Sequence, residues 1–174
     1  MKRLVYVSGA PEAGKTSLAG PLAAALGYAL LTKDTIKETL HDALGDPGAP
    51  EADLACSRRL GGASMELLWT LAARAPKVVI EANFRPYSDY EHGKLTALAA
   101  PLVEVYCRCP LELAAERFAA RHADRHPTHV SSEVSLEYLA QFDRPFGLGP
   151  VIEVDTRDPV DVAALAEAVL AAFA

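Results

Sequence analysis

The chain has 174 residues, of which 51% are hydrophobic, and a formal net charge of −6 at pH 7. This length fits one domain, residues 1–174, with ample apolar side chains for a core. The negative charge repels polyanions at long range and argues against a large nucleic-acid interface. No apolar run approaches the roughly 18 residues that a membrane-spanning helix needs, so we expect no membrane segment.

The chain start and the cysteines predict a cytoplasmic protein. Residues 1–3 are Met-Lys-Arg, but the apolar run 4–7 that follows is far too short for a secretory signal. Cys56, Cys107 and Cys109 form an odd set without C-x-x-C spacing, which argues against both a disulfide framework and a zinc site. We therefore expect reduced thiols, with Cys107 and Cys109 on one face of a strand as packing residues.

Short apolar strands alternate with helices along the whole chain. The expected strand–helix pairs are 3–8 with 15–26, 28–31 with 34–44, 78–81 with 88–99, 102–107 with 111–122, and 151–155 with 160–173. Five such pairs predict an α/β fold with a parallel sheet and helices on both faces.

Two segments interrupt this alternation, and we expect both to act as lids. Residues 45–50 form a turn-rich link before a long helix over 51–74, and residues 121–132 are polar, basic and rich in histidine. The last helix is expected to open at Asp158-Pro159, because a capping side chain followed by proline is typical of a helix start.

A phosphate-binding loop follows the first predicted strand and opens the first helix. Residues 9–16 satisfy G-x-x-x-x-G-K-[ST] at every fixed position, in the strand–loop–helix context that the motif requires. In such a loop, backbone N–H groups and a helix N-terminus bind phosphate oxygens, the lysine reaches the β- and γ-phosphates, and the hydroxyl binds Mg²⁺. The predicted nucleotide-binding residues here are Gly9, Ala10, Pro11, Glu12, Ala13, Gly14, Lys15, Thr16 and Ser17.

The second strand ends next to a carboxylate that is a candidate catalytic base. Asp34 follows Thr32-Lys33, and the carboxyl ends of parallel strands face a common crevice, so Asp34 is expected to face the phosphates. A carboxylate at this place accepts the proton of an attacking substrate hydroxyl. The alternative is that Asp34 only caps the following helix, although the two roles are compatible.

The third strand leads into further candidate residues. Glu81 closes an apolar run beside the phosphate loop, and we predict that it holds Mg²⁺ or a water bound to the metal. Asn83 and Arg85 follow on the loop, where they are candidate substrate contacts. For Arg85 the alternative is a surface ion pair with Asp89 or Glu91.

The basic segment supplies candidate arginines for the transferred phosphoryl group. Arg117 and Arg121 lie four residues apart and share a helical face. An arginine there neutralises charge that develops during transfer, although a solvated face paired with neighbouring acids also explains some of these residues. We expect the histidines of this segment to be hydrogen-bonded loop residues rather than metal ligands.

Together, the phosphate loop, Asp34, the 81–85 segment and the arginine lid resemble the small P-loop kinases of the AAA-33 group. This group includes chloramphenicol phosphotransferase, zeta-toxin-like sugar-nucleotide kinases and polynucleotide 5′-kinases. The resemblance spans nearly the whole chain and implies a three-layer P-loop NTPase fold, strand order 2-3-1-4-5, a helical lid at about 111–132, and Asp34 as the base. It also implies that residues 155–157 lie near the adenine, which makes Arg157 a candidate nucleotide contact.

The sequence thus predicts an ATP- and Mg²⁺-dependent phosphotransferase acting on a hydroxyl of a small molecule such as an antibiotic, nucleoside or sugar derivative. Residues 81–85 lack the glycine and proline order of nucleoside monophosphate kinases, which argues against a nucleotide acceptor. A polynucleotide 5′-kinase and a nucleotide-dependent switch or regulatory ATPase remain as alternatives. The acceptor is expected beside the 51–74 helix, where Arg58, Arg59 and Trp69 are candidate contacts, although Trp69 also fits a core position. Composition does not choose between a monomer and an oligomer.

Overall fold

The computed structural model describes residues 2–44, 54–121, 125–130 and 134–174. Within these ranges, strands and helices alternate along the chain as the apolar pattern predicts. The strands are Arg3–Ser8 (β1), Ala29–Thr32 (β2), Lys77–Glu81 (β3), Leu102–Arg108 (β4) and Val151–Asp155 (β5). The helices are Lys15–Leu26 (α1), Lys33–Leu44 (α2), Leu54–Arg74 (α3), Asp89–Ala97 (α4), Leu111–Ala120 (α5), Leu136–Leu139 (α6) and Val162–Ala172 (α7), with a 3₁₀ turn over Ala140–Phe142.

The five strands form one sheet in the order β2-β3-β1-β4-β5, and every neighbouring pair is parallel. This confirms the predicted α/β P-loop fold and its strand order. The chain moves from β1 to one side for β2 and β3, and then to the other side for β4 and β5. The resulting crevice at the carboxyl end of β1 is where open parallel sheets bind ligands.

The side chains of β1 alternate between two apolar layers. Val5 and Val7 face a core that includes apolar residues of α1, α5 and α7. Leu4 and Tyr6 face the other side, where α3 and α4 contribute to the core. All four side chains are fully buried, so the first strand is covered on both faces. The central strand thus holds the phosphate-binding loop on a rigid support.

A carboxylate lies inside this core. The side chain of Glu104 on β4 is fully buried and accepts hydrogen bonds from the hydroxyls of Tyr6 (2.9 Å) and Ser8 (2.5 Å). It also accepts from the backbone N–H groups of Phe146 (3.1 Å) and Gly147 (3.0 Å). Four donors satisfy this carboxylate, which ties β1 and β4 to the segment that leads into β5.

Three helix ends differ from the sequence prediction. The last helix does not open at Asp158-Pro159, because Asp161 is the residue that caps α7, accepting a hydrogen bond from the backbone N–H of Ala164 at 3.0 Å. The helix after β3 is Asp89–Ala97, shorter than predicted and capped by Ser88. Helix α5 ends at Ala120 rather than at residue 122.

Several predicted features fall outside the described residues. These are the link over 45–50, the predicted start of the long helix at 51–53, and residues 122–124 and 131–132 of the basic segment. In the part of the chain that is described, none of the helices combines the length and apolar character that crossing a bilayer requires.

Candidate functional site

Two glycines shape the loop between β1 and α1. Gly9 has a φ of 131°, and a Cβ there would lie 2.5 Å from the carbonyl oxygen of Cys107, so only glycine fits. Gly14 has a φ of 81° and lies at the start of α1, where a Cβ would lie 3.2 Å from the Cβ of Thr156. The predicted loop is therefore closely packed against the ends of β4 and β5.

The N-terminus of α1 has no side-chain cap. The first N–H groups of a helix need partners, and together with the helix dipole they attract an anion. The loop that precedes this helix end is of the kind that binds phosphate, so the backbone fits the phosphate chain of a nucleotide.

Lys15 is buried at the base of this loop, with 4% of its surface exposed. Its ammonium donates a hydrogen bond to the carbonyl oxygen of Ala10 at 2.6 Å. Burial lowers the pKa of Lys15, whereas the carboxylates of Glu81, Asp34 and Glu12 favour its charged form. The ammonium thus lies among carboxylates and is held within the loop to which it belongs.

Thr16 and Glu81, the two predicted metal ligands, lie close together. The Thr16 hydroxyl donates to the Glu81 carboxylate across 3.5 Å, and Glu81 is almost fully buried. Burial raises the pKa of Glu81, and the charge of Asp34 adds to this effect. A divalent cation would offset this accumulated negative charge, and a hydroxyl with carboxylates is the hard-oxygen donor set that Mg²⁺ prefers. The residues present therefore fit Mg²⁺.

Asp34 lies in the first turn of α2, but it is not the cap of this helix. Thr32 has that role, because its hydroxyl accepts a hydrogen bond from the backbone N–H of Thr35 at 3.2 Å. The Asp34 carboxylate is 43% exposed and pairs with the ammonium of Lys33 at 2.8 Å. Burial pushes its pKa upward, but the charge and hydrogen bond of Lys33 outweigh this and hold the pKa below its ordinary value. Asp34 is therefore an ionised carboxylate that the helix does not need as a cap.

A cleft of about 1100 Å³ opens over the phosphate-binding loop. Its lining includes eight of the residues singled out in the sequence, namely Glu12, Gly14, Lys15, Thr16, Ser17, Asp34, Arg117 and Arg121. The loop after β5 also lines the cleft, through Thr156 and the segment 158–160. Arg157 does not line the cleft, since its guanidinium extends over Asp155 in an exposed ion pair of 2.6 Å.

The predicted lid arginines make different contacts. Arg117 donates to the carbonyl oxygen of Thr156 at 3.3 Å, so it lies against the loop after β5. Arg121 pairs with the Glu12 carboxylate at 2.8 Å, and Arg125 approaches the other oxygen of Glu12 at 3.4 Å. Glu12 itself has a φ of 59°, an uncommon conformation for a residue with a side chain. The phosphate-binding loop thus holds two arginines of the lid through one carboxylate.

The segment 125–130 is attached to α2 by its histidines. His126 contacts the Asp42 carboxylate at 3.0 Å, and His129 contacts the Glu38 carboxylate at 2.9 Å. These contacts agree with the expectation of hydrogen-bonded loop histidines, and the acids come from a helix that is distant in sequence. His122 lies outside the described residues.

A second cavity, of about 930 Å³, adjoins the first. The two share Arg125 and His129 in their linings. The second cavity also contains Asn83, Arg85 and Arg58, which were predicted to contact an acceptor. Its remaining wall combines residues of α3 with the segment around α6.

Arg85 forms one of the ion pairs considered for it. Its guanidinium contacts the Glu91 carboxylate at 3.1 Å, and Glu91 also accepts from the backbone N–H of Arg85. The partner is buried, with 3% exposed, so the pair fixes the loop after β3 rather than lying on the open surface. Arg85 lines the second cavity while it is held in this pair.

Trp69 is a core residue, which corrects its prediction as an acceptor contact. It is 4% exposed and its ring lies 5.5 Å from that of Phe84. Arg59 does not line the second cavity either, although its neighbour Arg58 does. Arg58 and Arg59 are adjacent, and a rotation of about 100° per residue around the helix axis directs their side chains to different sides of α3.

Most of the chain matches one known protein family. The family model AAA_33, described as an AAA domain, matches residues 4–145. The chain belongs to the AAA_33 family. No curated protein matches the sequence significantly.

Solved structures resemble this AAA_33 protein over nearly its whole length. A protein from Chloroflexus aurantiacus that has been proposed to be a kinase is 29% identical, with a TM-score of 0.84 and coverage of 98% of this chain and 97% of that chain. Kti12 from Chaetomium thermophilum in complex with ADP-AlF3 is 18% identical, with a TM-score of 0.62 and coverage of 98% and 99%. A gluconokinase from Sinorhizobium meliloti is 20% identical, with a TM-score of 0.60 and coverage of 97% and 90%. The fold is that of the P-loop kinases.

The sequence missed several basic residues that the fold brings to the two cavities. Lys33, Lys37 and Arg125 line one or both of them. Lys33 and Lys37 lie four residues apart, on one face of α2, and this spacing was the available signal. Arg125 belongs to the basic segment that was expected to act as a lid, but its ion pair with Glu12 of the phosphate-binding loop was not predicted.

Proposed function

We propose that this AAA_33 protein is a phosphotransferase that uses ATP and Mg²⁺ to phosphorylate a hydroxyl group of a small molecule. The observation that carries the proposal is the pair of adjoining cavities with a common wall at Arg125 and His129. A switch or a simple ATPase needs only the nucleotide cleft, whereas a kinase needs a place for the acceptor beside it. A volume of about 930 Å³ suits a small molecule.

In this proposal the phosphate-binding loop and Lys15 hold the nucleotide phosphates, and the ammonium of Lys15 neutralises charge that develops during transfer. Thr16 and Glu81 hold Mg²⁺, which supplies further neutralisation of the phosphate oxygens when it is bound. Asp34 orients the acceptor hydroxyl and takes its proton as the oxygen bonds to phosphorus and the bond to ADP breaks. Asn83 and Arg85 contact the acceptor in the second cavity.

The proposal also gives the lid arginines a role. Arg121 and Arg125 pair with Glu12, and a triphosphate in the loop offers them a stronger anionic partner. Their transfer from Glu12 to the phosphates would bring the lid over the reacting groups. Arg117, held at Thr156, would steady the loop beside the base of the nucleotide.

Replacing Glu12 by glutamine is expected to strengthen ATP binding about two- to fivefold, the range for ion pairs with an exposed member such as Arg121. The substitution removes a negative charge next to the phosphate site and releases Arg121 and Arg125. Isothermal titration with ATP and Mg²⁺ measures the change, and Glu112→Gln on α5 is the matched control. Unchanged or weaker binding by the Glu12 variant would contradict this role of the pair.

The function itself is tested by incubating the pure protein with ATP, Mg²⁺ and pooled antibiotics, nucleosides, sugars, sugar acids and short oligonucleotides. Mass spectrometry then detects acceptors that gain a phosphate. We expect a phosphorylated small molecule. Phosphorylation of the oligonucleotides alone would favour a polynucleotide 5′-kinase, and ATP hydrolysis with every acceptor unmodified would favour a regulatory ATPase.

A further inference from the structure

The second cavity is rich in positive charge although the chain as a whole carries a net charge of −6. Among the described residues, five basic side chains line it besides His129, and only Glu66 and Glu91 are acidic. The basic side chains are Lys33, Lys37, Arg58, Arg85 and Arg125.

Three of these five cations have carboxylate partners. Lys33 pairs with Asp34, Arg85 with Glu91 and Arg125 with Glu12, while Glu66 pairs with Lys94 outside the cavity lining. Lys37 and Arg58 form no ion pair with any described residue. The uncompensated charge of the cavity is therefore located on α2 and α3.

Lys37 is held in place at this wall. It is 5% exposed, and its ammonium donates to the Ser57 hydroxyl at 2.7 Å and to the carbonyl oxygen of Thr128 at 2.9 Å. Both acceptors are neutral, and an ammonium has a third donor. Burial and the positive charge of Lys33 lower the pKa of Lys37 to about 8. Holding a cation here costs stability unless an anion arrives.

Arg58 lines the second cavity next to Lys37 and Ser57, on a stretch of α3 that leaves open space. It follows Ser57 in α3, and the positions Arg58, Gly61, Gly62 and Met65 repeat at helical spacing along the cavity. A Cβ at either glycine would meet no atom within 4 Å. A glycine inside a helix lowers the stability of the helix by about 1 kcal/mol relative to alanine. The two glycines therefore leave space in the cavity but make α3 less stable.

We propose that the acceptor is an anion, a hydroxyl compound that carries a carboxylate or phosphate group bound between Lys37 and Arg58. Its hydroxyl then points towards Asp34, which lines the adjoining nucleotide cleft, and the glycines of α3 leave room for its carbon skeleton. This inference rests on the proposed phosphotransferase function and narrows the class of substrate. Lys37 and Arg58 are specificity residues in it, whereas Asp34 acts on the hydroxyl.

The first test compares acceptors in matched pairs that differ in the anionic group. Gluconate is paired with glucitol, glycerol 3-phosphate with glycerol, and ribose 5-phosphate with ribose. The rate of phosphate gain with ATP and Mg²⁺ is measured for each compound, and we expect anionic members to be preferred at least about tenfold, as for specific charge recognition. The carboxylate and phosphate arms identify which anion the cavity binds. Equal rates for charged and neutral members would overturn the inference and leave the kinase function intact.

The second test measures binding and does not depend on turnover. The protein is saturated with an ATP analogue that has a non-hydrolysable β–γ bridge, so that the phosphate-binding loop is filled, and the same compounds are titrated calorimetrically. Arg58→Gln should weaken binding of the preferred anion about tenfold. The matched control is Arg59→Gln, since Arg59 lines neither cavity, and it should weaken binding less than twofold. If none of the anions binds more tightly than its neutral partner, the inference fails whether or not transfer is seen.

Lys37→Met tests whether the positive charge of Lys37 contributes to binding of the anion. The melting temperature first establishes that this buried variant folds, and Arg58→Gln keeps the test decisive if it does not. In the native protein the KM for the anion should rise above about pH 8, where Lys37 loses its proton, whereas the variant should have a raised KM and lack this rise. Lys33, Asp34, Arg125 and Glu38 are the charged groups around Lys37. A pH profile that is the same in both proteins would contradict the role of Lys37.

Discussion

Asp34→Asn should reduce phosphoryl transfer about 10²- to 10⁴-fold, the usual contribution of a positioned base, while ATP still binds. Asparagine keeps the shape of the side chain but cannot take up the proton of the acceptor hydroxyl. Because Thr32 and not Asp34 caps α2, the substitution leaves the start of this helix intact. Initial rates are measured with the acceptor that the wild-type protein phosphorylates, and calorimetry measures the affinity for ATP. The two measurements separate loss of transfer from loss of ATP binding.

The matched control is Asp89→Asn, which changes a carboxylate on α4 that lines neither cavity. Its rate should be unchanged. A normal rate for the Asp34 variant would refute the assignment of the base. The pH profile adds a second check, because the net lowering of the Asp34 pKa keeps this carboxylate ionised below the ordinary aspartate value of about 3.9. Loss of activity by protonation of Asp34 is therefore expected only below that pH.

Glu104→Leu should lower the free energy of unfolding by about 4 kcal/mol, because each buried donor without an acceptor costs about 1–3 kcal/mol. The hydroxyls of Tyr6 and Ser8 and two backbone N–H groups would all lose their acceptor. Such a loss is a large part of the stability of an ordinary domain. Urea denaturation followed by circular dichroism measures it.

Glu153→Leu on the neighbouring strand is the control for Glu104, since this side chain is exposed. A change within about 0.5 kcal/mol is expected there. If the Glu104 variant were as stable as the control, the four hydrogen bonds would contribute little, and packing alone would hold the segment before β5 against the sheet.

The sequence was most informative where a function resides in consecutive residues. The loop 9–16 is a continuous pattern whose backbone makes the site, so its position and the strand–helix context followed directly. Asp34 and Glu81 could be predicted to lie near each other because Glu81 ends β3 and Asp34 follows the end of β2, and a parallel sheet brings those strand ends to one edge.

Residues that act through tertiary contacts were not predictable in this way. The pair between Glu12 and Arg121 joins residues 109 positions apart, and Lys37 contacts Thr128 across 91 positions. The Glu104 carboxylate lies within an apolar strand, where its partners come from β1 and from the segment before β5. The difference between Arg58 and Arg59 depends on the rotation of α3 relative to the sheet, which the apolar pattern of a helix defines only broadly.

The burial of Trp69 gives the protein an intrinsic optical probe. It is the single tryptophan of the chain, and its indole packs on Phe84, which lies between Asn83 and Arg85 in the loop after β3. Within the described residues, its Nε1 has no hydrogen-bond partner. Emission from this one fluorophore is therefore sensitive to any movement of that loop, and stopped-flow fluorescence of the unlabelled protein tests whether the loop moves when an acceptor enters the second cavity.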